Sequence, residues 1–82
     1  MFEELKNAEN KVVGLKQLLR ELEADNVVCV YIAEDAEAHL KEQIRGAIGE
    51  RDVNVVDAGS KSGLGKVCGI EVSAACAAIL KG

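Results

Sequence analysis

The segment that most constrains the fold is the apolar run Val27-Val28-Cys29-Val30-Tyr31-Ile32, four of whose six residues are β-branched. Such a run predicts a strand that is buried on both faces, because a strand with one face in water alternates apolar and polar residues. The chain has 82 residues, which is enough for one small domain spanning residues 1–82. A strand that is covered on both sides favours a layered α/β fold.

Helical and strand-like patterns alternate on either side of this run. Leucines at i, i+3, i+4 and i+7 predict one helix, and apolar residues at every fourth position predict a second. These residues are Leu15, Leu18, Leu19 and Leu22 in the first helix and Leu40, Ile44 and Ile48 in the second. We expect Asp35 as the N-cap of the second helix and Gly49 at its end. Short strands are predicted at 11–13 and 53–56, and a short polar helix within residues 2–9.

The remainder of the chain is less clearly patterned. Residues 59–66 form a predicted loop in which Gly59, Gly63 and Gly65 suit a sharp turn or a close approach. The segment from Ile70 to Leu80 has two interpretations, since its alanines favour a helix and its apolar run fits a buried strand equally well. The order strand, helix, strand, helix, strand, loop and final element predicts an α/β layered sandwich with a small sheet.

Composition and cysteine spacing argue against several classes of protein. No apolar run approaches the roughly 18 residues of a membrane span, and the start of the chain lacks the regions of a secretion signal. We therefore expect a soluble, cytoplasmic protein. Cys29, Cys68 and Cys76 are odd in number, have no CxxC spacing and are accompanied by one histidine. Neither a disulfide scaffold nor a metal site is expected from them.

The glycine-rich segment follows a predicted strand, as a phosphate-binding loop would. A nucleotide P-loop needs Gly, four residues and then Gly-Lys-Ser/Thr. Here Ser60 occupies the first glycine position and Val67 follows Gly65-Lys66, so the first glycine and the metal-binding hydroxyl are both missing. The glycines at 63, 65 and 69 are spaced one residue too widely for the dinucleotide pattern. We expect no nucleotide and no other cofactor.

Residues suited to catalysis form no recognisable constellation. His39 lies among charged residues, which favours a solvated side chain. The acidic cluster Glu34, Asp35 and Glu37 is typical of the N-terminal end of a helix, whose dipole it complements. Cys68 has no histidine partner within a nucleophile motif. We therefore expect that the protein is not an enzyme.

The distribution of charge is more informative than its sum. The chain has 10 Lys and Arg against 14 Asp and Glu, a net charge of −4, which alone argues against nucleic-acid binding. Half of the cations lie in two acid-free windows, Asn10–Arg20 and Ala58–Ile70. Lys16, Gln17 and Arg20 lie near a predicted helix N-terminus, where phosphate is attracted. The pattern fits either an ordinary solvated helix face with a flexible loop or a nucleic-acid contact surface.

Three motifs in and between these windows resemble a known family. They are Gly14-Leu15-Lys16-Gln17, Ala33-Glu34-Asp35 and Leu64-Gly65-Lys66-Val67-Cys68-Gly69-Ile70-Glu71-Val72. Their order and spacing are similar to those of the seven-Ae/thirty-e class of ribosomal proteins, which bind kink-turn RNA, and in particular to its short bacterial members. The resemblance covers roughly residues 8–80. It implies a three-layer α-β-α sandwich around a small four-stranded mixed sheet, in which residues 73–80 form a strand.

The resemblance also implies a partner and a set of contact residues. The RNA of this family is bent at a three-nucleotide bulge that is followed by tandem G·A pairs. This chain has Lys16, Gln17 and Arg20 where archaeal members carry Asn, Glu and Lys against the G·A guanines, and the changes match the bacterial subgroup. The family holds the extruded bulge nucleotide between the Glu34/Asp35 region and the loop before the last strand. The implied RNA-binding residues are Gly14, Lys16, Gln17, Arg20, Glu34, Lys61, Gly65, Lys66, Ile70, Glu71 and Val72.

Two functions therefore follow from the sequence as hypotheses. The leading one is a non-enzymatic, monomeric RNA-binding domain that stabilises kink-turns in ribosomal or regulatory RNA, with the ribosome as one setting and with no membrane or DNA partner. The alternative is a protein-interaction or assembly module that uses the same fold without RNA. The net charge of −4 and the acids on both predicted long helices motivate this alternative.

Overall fold

Helices and strands alternate along the part of the chain that the computed structural model describes, residues 3–69 and 74–81. The elements are α1 (Glu3–Asn7), β1 (Lys11–Val13), α2 (Leu15–Glu23), β2 (Val27–Ile32), α3 (Ala38–Ile48), β3 (Asn54–Asp57), α4 (Lys61–Val67) and β4 (Cys76–Leu80). The predicted bounds of β1 and β2 match the observed ones, and β3 both begins and ends one residue later than predicted. Gly49 caps the C-terminal end of α3, as its position predicts.

The described strands form one mixed sheet in the order β1-β4-β2-β3. Strand β2 runs parallel to β3, and β4 runs antiparallel to both β1 and β2. A register shift between Val27 and Cys29 interrupts the pairing of β2 with β4, and Val28 at this irregularity is 44% exposed. The other residues of β2 are buried, which confirms the strand predicted from the apolar run.

The last segment of the chain, whose sequence fits either a helix or a strand, forms strand β4 although its alanines favour a helix. It lies between β1 and β2, so both of its edges pair with neighbours. Cys76, Ala77 and Ala78 are fully buried although consecutive strand residues point to opposite faces. Both faces of the sheet are therefore covered at β4, and small side chains let the covering helices approach it closely.

The helices form two layers around this sheet. Helices α2 and α3 contact each other, and α1 and α4 contact each other, while both α2 and α4 contact β4. Leu18 and Leu22 of α2, Ile44 of α3 and Leu64 of α4 are fully buried in the core. This arrangement confirms the three-layer α-β-α sandwich. The longest described helix, α3, has 11 residues, and none of the described helices is long and apolar enough to cross a membrane.

Two local predictions are wrong. Residues 59–66 are not a loop throughout, because α4 begins at Lys61. Glycines in a helix cost about 1 kcal/mol each relative to alanine. Here the burial of Leu64 and an N-cap bond, in which Ser60 Oγ accepts from the Gly63 N–H at 3.0 Å, offset that cost.

The second correction concerns Asp35, which is not the N-cap of α3. That helix begins at Ala38, its N-cap is Glu37, and no side chain makes a capping hydrogen bond there. The Asp35 carboxylate instead accepts a hydrogen bond from the backbone N–H of Lys61. Asp35 therefore bonds to a donor 26 positions away and not to an N–H group of α3. The spacing of residues in the sequence does not reveal this long-range partner.

Candidate nucleic-acid interface

One end of the sheet collects the segments that carry the predicted contact residues. The parallel strands β2 and β3 both finish there, with Ile32 and Asp57 side by side in register. Strand β4 runs antiparallel to β2 and therefore begins at this end, with Cys76 opposite Ile32. The loops after β2 and β3 and the loop before β4 thus meet at one edge of the fold.

Backbone hydrogen bonds tie these segments together. The Gly14 N–H donates to the Cys76 carbonyl at 3.0 Å and joins the start of α2 to the start of β4. The Ala33 N–H donates to the Ala75 carbonyl at 2.8 Å and joins the end of β2 to the same segment. Two further bonds run from the Glu34 N–H to the Gly59 carbonyl at 2.6 Å and from the Ala74 N–H to the Lys61 carbonyl at 3.0 Å.

The first turn of α2 presents polar side chains at this end of the sheet. Lys16 and Gln17 are exposed, and Arg20 is exposed one turn farther along the helix. Leu18 and Leu22 are fully buried and hold the opposite side of the helix against the core. The helix therefore fixes the direction of Lys16, Gln17 and Arg20 without burying them.

Gly14 sets the backbone conformation from which α2 starts. It is the N-cap residue and has a φ of +103°, which residues with side chains rarely adopt, although a Cβ there would meet no atom within 4 Å. The first turn of α2 contains no acidic residue. The positive end of the helix dipole is therefore not offset by a local carboxylate.

The acidic turn after β2 is held from two sides. Lys41 Nζ on α3 donates to the Glu34 carbonyl at 2.8 Å. Asp35 Oδ1 accepts from the Lys61 N–H on α4, also at 2.8 Å. The side chains of Glu34 and Asp35 remain exposed. The backbone of this turn is thus fixed, the Asp35 carboxylate is bonded to α4, and the Glu34 side chain is exposed.

Helix α4 contributes two lysines. Lys61 is half-buried at its first position, and Lys66 is exposed in its last turn, roughly 7.5 Å farther along the axis at the usual rise per residue. Gly65 is buried next to the fully buried Leu64 and lies beneath the surface. Ile70, Glu71 and Val72 lie outside the described residues. We use the term junction surface for the side chains of Lys16, Gln17, Arg20, Glu34, Asp35, Lys61 and Lys66.

Lys11, a cation of the first acid-free window, points away from the junction surface. Lys11 Nζ donates to the carbonyls of Leu5 at 3.2 Å and Lys6 at 3.1 Å, which ties β1 to α1. The junction surface keeps the other cations of the two windows, Lys16, Arg20, Lys61 and Lys66, against the carboxylates of Glu34 and Asp35. These seven side chains carry four cations against two carboxylates on a chain whose net charge is −4.

The cysteines offer no reactive thiolate at neutral pH. Burial raises the pKa of Cys76 to about 11, and a hydrogen bond with the Gly14 backbone lowers this pKa only in part. Burial also raises the pKa of Cys68, with a smaller lowering effect from Lys11. Nucleophilic attack and metal binding need the thiolate form. Within residues 3–69 and 74–81, no group of three or more His, Cys, Asp or Glu residues could hold a metal ion.

A groove of about 270 Å³ adjoins the junction surface between α3 and the edge strand β3. Lys41 and Arg45 line it from α3, Val55 and Asp57 line it from β3, and Glu34 closes the end shared with the junction surface. Val55 is 49% exposed. Sequence reasoning missed this groove, because the apolar run of β3 has the same composition whether the strand is central or at an edge.

The sequence model of the Ribosomal protein L7Ae/L30e/S12e/Gadd45 family matches residues 2–82. The chain belongs to this family. The match covers all the described elements of the fold and every predicted contact residue. The resemblance seen in the three sequence motifs is therefore confirmed over nearly the whole chain.

Three proteins to which this L7Ae-family chain is similar are named as RNA-binding proteins. An RNA-binding protein of Caldanaerobacter subterraneus subsp. tengcongensis is 43% identical over 68 residues, which is 83% of each chain. An RNA-binding protein of Halalkalibacterium halodurans is 35% identical over 80 residues, or 98% of each chain. Among solved structures, the 15.5kD RNA-binding protein of Giardia lamblia superimposes with a TM-score of 0.84 at 25% identity, over 98% of this chain and 68% of that one.

The contacts of two residues in this L7Ae-family chain are visible only in the tertiary structure. Asp35 lies within a motif of the resemblance, but its partner on α4 is 26 positions away. Arg45 reaches the groove beside β3 and has no local sequence signal for that position. Hydrophobic periodicity predicts which face of a helix is buried, but it does not predict which neighbouring residue a polar side chain contacts.

Proposed function

We propose that this protein binds structured RNA and recognises kink-turns. The observation that carries the proposal is the junction surface, where two separate helices, α2 and α4, present Lys16, Arg20, Lys61 and Lys66 on an otherwise acidic protein. Membership of the L7Ae family and the names of the relatives support RNA as the partner. Cations at the contact surface are what phosphate neutralisation requires.

Helix α2 supplies the groups that would read the tandem G·A pairs. The donors of Lys16 and of the Gln17 amide lie in its exposed first turn, and side chains of these types hydrogen-bond to base edges. Arg20, one turn along the same helix, would contact a phosphate. The first turn of α2 lacks acids, which favours an approaching anion.

The turn after β2 and helix α4 would frame the extruded bulge nucleotide. Glu34 would accept hydrogen bonds from the nucleotide on one side, and Lys61 and Lys66 would bring positive charge from the other. The roles of Ile70, Glu71 and Val72 as a cover for the extruded base rest on the family resemblance. Proteins read RNA chiefly at bulges and distorted pairs, because bases are exposed there.

Binding of this kind needs no catalysis and no cofactor. The protein would bind the kinked conformation of the RNA and shift the RNA population towards it. The net charge of −4 keeps non-specific attraction to nucleic acid modest, so affinity must come from the shape of the RNA. We propose a monomer that acts in the cytoplasm, on ribosomal or regulatory RNA.

The test is a titration against two RNAs that differ only in the G·A pairs. One RNA carries an intact kink-turn, and in the other the tandem G·A pairs are replaced by Watson–Crick pairs. We expect clearly tighter binding to the intact kink-turn. Equal affinity for the two RNAs would refute kink-turn recognition, and no binding to either at low salt would refute RNA binding altogether.

A protein-assembly role without RNA is the second candidate. The groove between α3 and β3 favours it, since Val55 is 49% exposed on an edge strand and lies opposite Lys41 and Arg45. Edge strands and exposed apolar side chains are common elements of protein contacts. A stable protein complex on co-purification, together with no shift of RNA at low salt, would select this function over the first.

A further inference from the structure

Asp35 caps a helix to which it does not belong in sequence. Its Oδ1 atom accepts a hydrogen bond from the backbone N–H of Lys61 at 2.8 Å. Lys61 is the first residue of α4, and the N–H groups in the first turn of a helix have no partner within the helix. Ser60 Oγ accepts the N–H of Gly63, so Asp35 and Ser60 satisfy two different donors of the same turn.

The peptide groups of Lys61 connect three segments. Its N–H binds the Asp35 carboxylate, and its carbonyl accepts from the Ala74 N–H at 3.0 Å. The bond from the Glu34 N–H to the Gly59 carbonyl holds the same turn against the residues before α4. The relative placement of the acidic turn, α4 and the entry to β4 therefore depends on this small set of bonds, of which Asp35 supplies the side-chain member.

We propose that Asp35 is a positioning residue for RNA binding. Its carboxylate holds the start of α4, and with it Lys61 and Lys66, against the turn that carries Glu34. This inference rests on the proposed function for its affinity measurement. A carboxylate repels a phosphate backbone, whereas the same charge at the positive end of α4 is stabilising. The position of Asp35 thus suits an acceptor within the protein better than a direct contact with the RNA backbone.

Two substitutions separate the hydrogen bond from the charge. Asp35→Ala removes the acceptor, and Asp35→Asn keeps a side-chain oxygen of similar geometry while removing the charge. Asp52→Ala is the matched control, because Asp52 is exposed and has no hydrogen bond or ion pair within the described residues. We expect Asp35→Ala to weaken binding to the intact kink-turn about ten-fold, or ~1.4 kcal/mol. Asp35→Asn and Asp52→Ala should stay within about two-fold of the wild-type affinity.

Amide hydrogen exchange at Lys61, followed by NMR, gives a second reading that does not depend on RNA. The Lys61 N–H should exchange faster in Asp35→Ala than in the wild-type protein and should remain protected in Asp35→Asn. Loss of one capping bond leaves a domain of this kind folded. A weaker affinity in Asp35→Ala that Asp35→Asn restores therefore reports a change in local geometry and not unfolding.

The outcomes that overturn the inference are distinct from failure of the proposed function. If the wild-type protein prefers the kink-turn and Asp35→Ala binds it equally well, Asp35 does not position the surface. If Asp35→Asn binds as weakly as Asp35→Ala, the charge itself matters and the positioning role is wrong. If the wild-type protein shows no preference for the kink-turn, the proposed function fails, and unchanged exchange at Lys61 in Asp35→Ala would then overturn the positioning role independently.

Discussion

Replacing Lys16 by alanine tests how the junction surface meets RNA. The Lys16 side chain is exposed in the first turn of α2 and makes no hydrogen bond or ion pair within residues 3–69 and 74–81. Alanine is a slightly better helix former than lysine, so the free energy of unfolding should stay the same or rise slightly. A change in RNA affinity can therefore be attributed to the lost ammonium group.

The size of the effect depends on what Lys16 contacts. A side chain that reads a base edge contributes about 1–3 kcal/mol, which corresponds to roughly 5- to 150-fold in affinity. If the other three cations of the junction surface each neutralised one phosphate while Lys16 read a base edge, the slope of log K against log salt would be about −2.7 on the duplex scale. Loss of a phosphate contact would reduce that slope by about 1, whereas loss of a base contact would leave it unchanged.

The assay is a fluorescence-anisotropy titration at several salt concentrations, on the kink-turn and on the RNA with Watson–Crick pairs. We expect Lys16→Ala to lose affinity for the kink-turn selectively, with an unchanged salt slope. Lys81→Ala is the matched control, since the Lys81 backbone N–H bonds to Asn26 and its ammonium lies 3.9 Å from Asp25, at the opposite end of the sheet. Equal losses of kink-turn affinity in the two variants, or no loss in Lys16→Ala, would refute the assignment of Lys16 as a base contact.

Three further changes test the structure beneath the junction surface. Leu64→Ala, at a fully buried position, should lower the free energy of unfolding by about 2–5 kcal/mol in urea titrations, and a loss below about 1 kcal/mol would contradict its place in the core. Ser60→Ala should cost about 0.5–2 kcal/mol because it removes the acceptor of the Gly63 N–H, and equal losses in Ser62→Ala, at an exposed position of the same helix, would rule out this cap. Burial raises the pKa of Cys76 from 9.0 to about 11, so between these values the native protein retains a proton that the unfolded chain loses. The free energy of unfolding should therefore fall as the pH rises through this range, and the fall should be shallower in Cys76→Ala. The same pH dependence in the wild-type protein and in Cys76→Ala would show that other groups cause the fall.

Local regularities account for the elements that the sequence predicted well. The spacing of Leu15, Leu18, Leu19 and Leu22 repeats with the helical period, and α2 spans Leu15–Glu23. The run of β2 is apolar at successive positions, which suits a strand with helices over both faces. Neither pattern needs information from elsewhere in the chain.

Long-range contacts decided the elements that were ambiguous or wrongly predicted. The alanines of β4 form a strand because β1 and β2 pair with both of its edges, and this outweighs the helix propensity of alanine. Helix α4 forms in a glycine-rich segment because Leu64 is buried and Ser60 and Asp35 satisfy its first-turn donors. The groove beside Val55 exists because β3 is at the edge of the sheet.

The sequence by itself determined the layered α/β class, the α2 face with Lys16, Gln17 and Arg20, and the family to which the chain is similar. These follow from periodicity and motif spacing, which are properties of neighbouring residues. Only the tertiary structure decided that Lys11 faces away from the junction surface and that Asp35 holds α4. Hydrogen-bond partners distant in sequence depend on how strands are ordered in the sheet, and one pattern of apolar residues is compatible with several such orders.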